Sequence, residues 1–203
     1  MDEELRAALE KQNPWWFKKP FPVRIPRLAY YPQLQKYLKT PEIMLLLGAR
    51  RTGKSTLQYQ LIQSLNVPPE AILFINLDEP LFQSKADDPT FLTTLIEEYL
   101  IEHKQLKKWY IFIDEVQNNQ YWEATIKTLH DTNKQVKFIL TGSTSRVLHT
   151  TASTRLSGRY FATQIYPLTF KEYVEFTGKK NLTLLEKRKA FSTYLEFGAF
   201  PRV

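Results

Sequence analysis

At 203 residues, 43% hydrophobic and 24% charged, the chain is long enough to bury one sizeable core, or one domain and part of another. The absence of cysteine excludes disulfides and thiolate metal sites and fits a reducing cytoplasm, and no run approaches the ~18 apolar residues of a membrane-spanning helix. A surplus of 28 Lys and Arg over 21 Asp and Glu leaves a net +7, which suits anionic partners such as DNA, but the charges are scattered from Lys18, Lys19, Arg24 and Arg27 to Lys187, Arg188 and Lys189, as on a solvated surface.

Residues 2–12 read as a short amphipathic helix with Leu5, Ala8 and Leu9 on one face, stopped by Pro14; its acidic start argues against a secretory signal. NPWWFKKPFPVRIPR then places four prolines among aromatics, which predicts an extended arm rather than a helix. Trp15 and Trp16 read as anchors for that arm, with stacking on a base as the alternative use.

From residue 30 onward the pattern alternates. YPQLQKYLKT reads as a helix, EIMLLL (42–47) as a buried strand, KSTLQYQLIQSL (54–65) as a helix and AILFINL (71–77) as a strand. After a loop through DEPLFQSKADDP come the helix TFLTTLIEEYLIEH, the strand WYIFI, the helix YWEATIKTLHDTN and the strand VKFILT (136–141). YFATQI (160–165) gives a fifth strand. Near-continuously apolar strands alternating with helices predict an α/β fold, a parallel sheet covered on both faces. Beyond Pro167 the chain turns helical: TFKEYVEF opens with a capping box from Thr169 to Glu172, and a second helix spans about 182–197. The expected organisation is an N-terminal helix and arm (1–29), an α/β core (30–167) and a helical segment (168–203). The apolar ending GAFPRV leads us to expect a continuation past Val203. The three histidines, 103, 130 and 149, lack metal-ligand spacing.

EIMLLL runs straight into GARRTGKST. The spacing G-x-x-x-x-G-K-S/T is met by Gly48, Gly53, Lys54 and Ser55, between a buried strand and a helix. In such a loop the backbone of Gly48, Ala49, Arg50, Arg51, Thr52, Gly53, Lys54, Ser55 and Thr56 curls round a phosphate at the positive end of the following helix. Lys54 then neutralises the β- and γ-phosphates and the Ser55 hydroxyl binds Mg²⁺; Arg50 and Arg51 contribute only their backbone.

WYIFIDE supplies the complementary acid. A strand ending in Asp114 places a carboxylate at the ligand-binding edge of a parallel sheet, where it completes a Mg²⁺ shell beside Ser55. Glu115 is then positioned to deprotonate water for attack on the γ-phosphate, the alternative being an exposed loop Glu. GTP recognition needs N-K-x-D at a strand end; NKQV (133–136) lies at a strand start and lacks the Asp, so ATP is expected. Thr141, Ser143 and Ser145 are candidates to meet the γ-phosphate or the water, with Ser143 preferred and a helix N-cap as its alternative role. Arg155 and Arg159, in RLSGRYF, are candidates to stabilise the transferred phosphoryl within the subunit or across an interface, against an ordinary surface role.

GARRTGKSTL, IFIDEVQ with Trp122 shortly after, ILTGSTSRVL, LSGRY, PLTFKEY and YLEFGAFPRV, in that order, resemble a group of prokaryotic AAA-type, archaeal-ATPase-like P-loop ATPases over residues 15–203. The resemblance implies a P-loop NTPase fold with strand order 5-1-4-3-2, Gly48 to Ser55 as Walker A, Asp114 and Glu115 as the Walker B pair, Ser143 as the sensor and Gly158-Arg159 as the family's G-R motif. It also implies a further C-terminal domain of uncharacterised function. Gln117 and Trp122 match family positions and read as structural.

The leading expectation is a Mg²⁺-dependent ATPase, a cytoplasmic module that couples nucleotide state to a protein partner or appended domain, with self-assembly as a homo-oligomer open. The alternative is a nucleotide-gated DNA- or protein-binding module with little turnover. A small-molecule phosphotransferase is disfavoured by Glu115.

Overall fold

Four apolar segments too buried to serve as surface strands, and a fifth, partly exposed one at the edge, assemble into the centre of the molecule. The computed structural model describes residues 1–143, 156, 158–178 and 182–201. The strands are β1 (Ile43–Gly48), β2 (Ile72–Asn76), β3 (Trp109–Asp114), β4 (Val136–Ser143) and β5 (Tyr160–Gln164). They form one parallel sheet in the order β2-β3-β4-β1-β5, the expected 5-1-4-3-2 read from the other edge.

Alternation along β1 divides two cores. Ile43, Leu45 and Leu47 face one side, where they meet Leu92, Leu95 and Ile96 of α5 (Phe91–Glu102) and Ile126 and Leu129 of α6 (Trp122–Thr132). Met44 and Leu46 face the other, packed with Leu34 and Leu38 of α2 (Tyr31–Leu38) and Leu57 and Leu61 of α3 (Lys54–Ser64). Both faces are covered, so every residue of β1 and β4 is buried.

The N-terminal segment completes the sheet rather than standing apart. α1 (Glu3–Gln12) is capped by Asp2 and followed by a 3-10 turn at Pro14–Phe17, where an extended arm was expected. Pro14 suits the first position of that turn because no N–H is needed there, and Lys18 ends it with φ 53°. The free edge of β2 is then satisfied by side chains. Asn13 accepts the Phe74 N–H (2.7 Å) and donates to the Phe74 carbonyl (2.9 Å), Gln12 accepts the Asn76 N–H (2.7 Å), and the Trp16 and Trp15 indoles donate to the Ile72 carbonyl (2.9 and 3.3 Å). An exposed strand edge invites pairing with other chains, and these side chains close it. The anchoring role of the tryptophans is thereby accounted for.

The loop after β2 contains one further turn of helix, α4 (Pro80–Gln83). Beyond β5, α7 (Phe170–Phe176) and α8 (Leu184–Phe197) each begin with a complete capping box, Thr169 with Glu172 and Thr183 with Glu186. Phe170 packs edge-on against Phe191 and Tyr194, and the Tyr194 hydroxyl donates to the Leu168 carbonyl (2.9 Å). The Leu168 N–H in turn donates to Ala199 (2.6 Å), which folds the segment after α8 back toward the core. Among the described residues no helix is long and apolar enough to cross a membrane.

Candidate functional site

The parallel register fixes which strand ends meet. Gly48 lies beside Ser143, and Asn76 beside Asp114, so the loop after β1 and the acids after β3 open on one edge of the sheet. The first glycine is demanded by packing. A Cβ at Gly48 would sit 2.3 Å from the Ile165 carbonyl, whose own N–H donates to Leu47 (2.6 Å). At Arg51 (φ 65°) and Gly53 (φ 92°) the backbone turns left-handed, which directs the loop into α3. Gly53 caps α3 without a side chain, so the first N–H groups of that helix are left for an external acceptor. Within the loop, Thr52 is buried and its hydroxyl donates to Ala49 (2.9 Å).

Lys54 is 4% exposed, and its ammonium donates to the carbonyls of Gly48 (3.2 Å) and Ala49 (3.1 Å). The carboxylate paired with it, Glu115, stands 4.0 Å away. A buried cation held by neutral carbonyls at the open end of a helix is arranged to receive an anion.

Asp114 ends β3 at 5% exposure. Burial pushes its carboxyl above the ordinary range; hydrogen bonds from the Ser55 and Thr141 hydroxyls oppose the shift, the Glu115 charge adds to it and Lys54 counters it. A buried carboxylate and a hydroxyl facing one another suit a hard cation that draws its remaining ligands from phosphates and water. The residues present therefore fit Mg²⁺, although among the described residues there is no cluster of three acidic or histidine ligands.

Glu115 adopts φ 56°, an uncommon left-handed conformation for a non-glycine residue. The kink turns the chain out of the sheet into a single 3-10 turn, Val116–Asn118. Two groups hold it. The Glu115 N–H donates to Thr141 Oγ1 (3.0 Å), and the Gln117 amide donates to Glu115 Oε2. The Thr141 hydroxyl in turn donates to Asp114, which commits it to the acids. Ser143 sits at the end of β4, opposite Gly48, with its N–H donating to the Gln117 side-chain oxygen Oε1 (3.3 Å). Ser145 and Arg155 lie outside the described residues.

Gly53, Lys54, Ser55, Thr56 and Glu115 line a cavity of about 570 Å³. Its apolar wall is Pro22 and Ile25 of the arm, Tyr59 of α3, Phe176 of α7 and Pro201. Arg51 also lines it. Burial, then the charge of Asp114, pushes the Tyr59 hydroxyl up to about 12, so it stays a neutral donor.

Two arginines depart from expectation. Arg27, counted among the surface charges, is 3% exposed and binds the loop itself, donating to the carbonyls of Thr52 (3.0 Å) and Tyr166 (2.7 Å). Arg159 lies at the opposite edge of the sheet. Its carbonyl accepts the N–H of Ile43, the first residue of β1, while the loop begins at Gly48, the last, five residues or roughly 16 Å of strand away. Its guanidinium donates to Asp131 (2.9 Å). Arg159 therefore stands away from the loop of its own subunit, beside Asp131.

A sequence-family model described as an AAA domain matches residues 40–174. An uncharacterized protein of Haemophilus influenzae is 32% identical over 182 residues, 88% of this chain and 44% of the relative. An uncharacterized protein of Methanocaldococcus jannaschii is 30% identical over 169 residues, 80% of this chain and 36% of the relative. The chain thus spans less than half the length of these curated relatives. Among solved structures, the Aeropyrum pernix ORC1 protein in complex with DNA aligns with TM-score 0.57 at 14% identity, over 81% of this chain and 52% of that one, a likeness of fold. The loop closed by Gly48, the acids ending β3 and the order of the strands thus lie within one matched region, and the chain belongs to the AAA domain family.

Proposed function

We propose that this chain is a Mg²⁺-dependent ATPase module. The observation that carries the reading is the placement of Glu115, which lines the same cavity as the Lys54 ammonium at 4.0 Å and follows the buried Asp114 directly. The loop N–H groups and the start of α3 bind the β- and γ-phosphates, Lys54 neutralises them, and the apolar wall of Pro22, Ile25, Tyr59 and Phe176 takes the base. Mg²⁺, held through Ser55 and Asp114, supplies neutralisation of the charge developing on the phosphates. Glu115 accepts a proton from the attacking water as its oxygen bonds to the γ-phosphorus; the bond to the β–γ bridging oxygen breaks, and ADP and inorganic phosphate leave. Ser143 contributes its hydroxyl from the neighbouring strand end.

The test compares three proteins with ATP and Mg²⁺. Wild type should bind and hydrolyse, Lys54→Ala should lose binding, and Glu115→Gln should bind with turnover reduced on the order of 100-fold or more. Equal turnover in Glu115→Gln and wild type removes the general base, and unchanged nucleotide affinity in Lys54→Ala removes the phosphate-loop assignment.

A second reading, a nucleotide-gated DNA-binding module with little turnover, draws on the net +7 charge and on the fold shared with a protein solved with DNA. Binding to duplex DNA that depends on nucleotide and weakens with salt supports it. The appended domain or protein partner to which the module couples belongs to the same proposal, as does the helical segment after Pro167 acting as a lid.

A further inference from the structure

Glu115 belongs to a left-handed kink that the backbone does not favour by itself, and a carboxylate on such a kink needs an external hold to keep one direction. That hold comes from Gln117. The 3-10 turn Val116–Asn118 brings residue 117 back over residue 115, and the Gln117 amide is used at both ends: Nε2 donates to Glu115 Oε2, and Oε1 accepts the Ser143 N–H (3.3 Å). The orientation of the amide is fixed by its partners, since a carboxylate requires a donor and a backbone N–H requires an acceptor. With one oxygen tied to Gln117, the other, Oε1, is the one facing Lys54 at 4.0 Å. The backbone of Glu115 is meanwhile pinned to Thr141, so both the main chain and the side chain of this residue are referred to β4.

We infer that Gln117 is a positioning residue: it aims the Glu115 carboxylate and couples it to the end of β4 at Ser143. The inference rests on the general-base reading of Glu115. A side chain that offers a donor and an acceptor is needed at this position. Ala offers neither. Glu matches the length and still accepts from Ser143, but it sets a second carboxylate against the first. Displacing a reacting group by about 1 Å costs rate on the order of 100-fold with little effect on binding.

The experiment uses Gln117→Glu, Gln117→Ala and Glu115→Gln in the same chain, with a fluorescent ATP analogue plus Mg²⁺ for affinity, steady-state ATP turnover, and thermal unfolding without nucleotide. Gln117→Glu should fold and bind the analogue within about threefold of wild type, while kcat falls on the order of 10- to 100-fold and KM changes little. Gln117→Ala should follow it. In the nucleotide-free protein, the Gln117 side-chain amide ¹⁵N signal should move in Glu115→Gln, a readout independent of turnover, and an unmoved signal overturns the contact. Turnover at the wild-type rate in Gln117→Glu, alongside an inactive Glu115→Gln, overturns the positioning role and leaves the general base standing. A loss of affinity that matches the loss of rate also overturns it, because Gln117 then supports binding rather than aim. Full turnover in Glu115→Gln overturns the general base and this inference together.

Discussion

Arg27 and Glu172 form a buried fork-to-fork pair, with guanidinium Nε and Nη2 each 2.9 Å from a carboxylate oxygen. The pair joins three parts of the chain. Arg27 comes from the proline-rich arm and reaches the Thr52 carbonyl in the loop, while Glu172 is also the N3 residue of the α7 capping box, accepting the Thr169 N–H at 2.9 Å.

Removing one partner of such a pair leaves the other buried without compensation, at a cost of about 3–5 kcal/mol. Arg27→Ala is expected to lose stability on that scale in urea unfolding and to weaken nucleotide binding, because the loop loses its tie at Thr52. Burial alone would raise the Glu172 carboxyl, but hydrogen bonds from Arg27 and Thr169 hold it below its ordinary 4.5. Its contribution is therefore fully present above about pH 4.5 and is lost as pH falls through the lower folded-state value. A variant within 1 kcal/mol of wild type, with the same acid limb, would show that the pair is dispensable.

The parts of this site that the sequence reveals are those carried by local pattern. Gly48, Gly53, Lys54 and Ser55 lie within one loop, and Asp114 and Glu115 end an apolar run, so spacing and hydropathy suffice to place them. β1, β2 and β3 are legible for the same reason, since each is a nearly continuous apolar segment, while β4 carries Lys137 and the edge strand β5 is half polar. Arg27 is not, because nothing in VRIPR separates an arginine that reaches Glu172 from one that points into water. The cavity wall of Pro22, Ile25, Tyr59, Phe176 and Pro201 is equally hidden, being assembled from four distant segments. A role at its own subunit's site is attractive for Arg159 from motif order alone, yet strand direction sends it to the far edge.

Gly48→Ala tests the close approach of β5 to the loop. The added methyl meets the Ile165 carbonyl at 2.3 Å and Thr52 Oγ1 at 3.0 Å, so strand or loop must move. A loss of about 1–3 kcal/mol is expected for such overpacking, together with a loss of ATP affinity. Gly178→Ala is the control. Its φ of 70° strains an alanine by a comparable amount, but nothing lies within 4 Å of the new methyl, so affinity should be unaffected. Calorimetric binding to both variants separates the two effects, and wild-type affinity in Gly48→Ala would contradict the packing argument.

Arg159 is paired with Asp131 at the edge remote from the loop, so any action on a γ-phosphate is expected in a neighbouring copy. If it acts there, specific ATPase activity should rise with protein concentration, and Arg159→Ala should abolish the rise without altering the dilute-limit rate. An arginine acting on a transferred phosphoryl contributes up to about 10³-fold or more. A wild-type rate independent of concentration removes this role, and Arg159 is then a partner for Asp131, whose carboxyl it lowers by hydrogen bonding.

Lys137 offers a pH test of the core. It sits in β4 at 2% exposure, and its ammonium donates to the carbonyls of Thr40 (3.0 Å) and Glu42. Burial, the dominant effect, lowers it to about 8; the Glu42 charge opposes the shift and Lys108 adds to it. Between the folded value and the ordinary 10.5, the unfolded chain holds a proton that the folded chain has released, so stability rises with pH across that window. Below about pH 8 both states are charged and the burial cost is felt in full. Against Lys137→Met, which cannot titrate, wild type should therefore gain about 2 kcal/mol between pH 7.5 and 9.5. Urea unfolding of both proteins at three pH values across that range measures the difference directly and cancels the titration of the other lysines and tyrosines. A constant gap would mean that the two carbonyls stabilise the ammonium enough to offset its burial. A gap that closes as pH rises, with wild type the less stable at pH 7.5, would show that the cost of burying the charge exceeds the value of both hydrogen bonds.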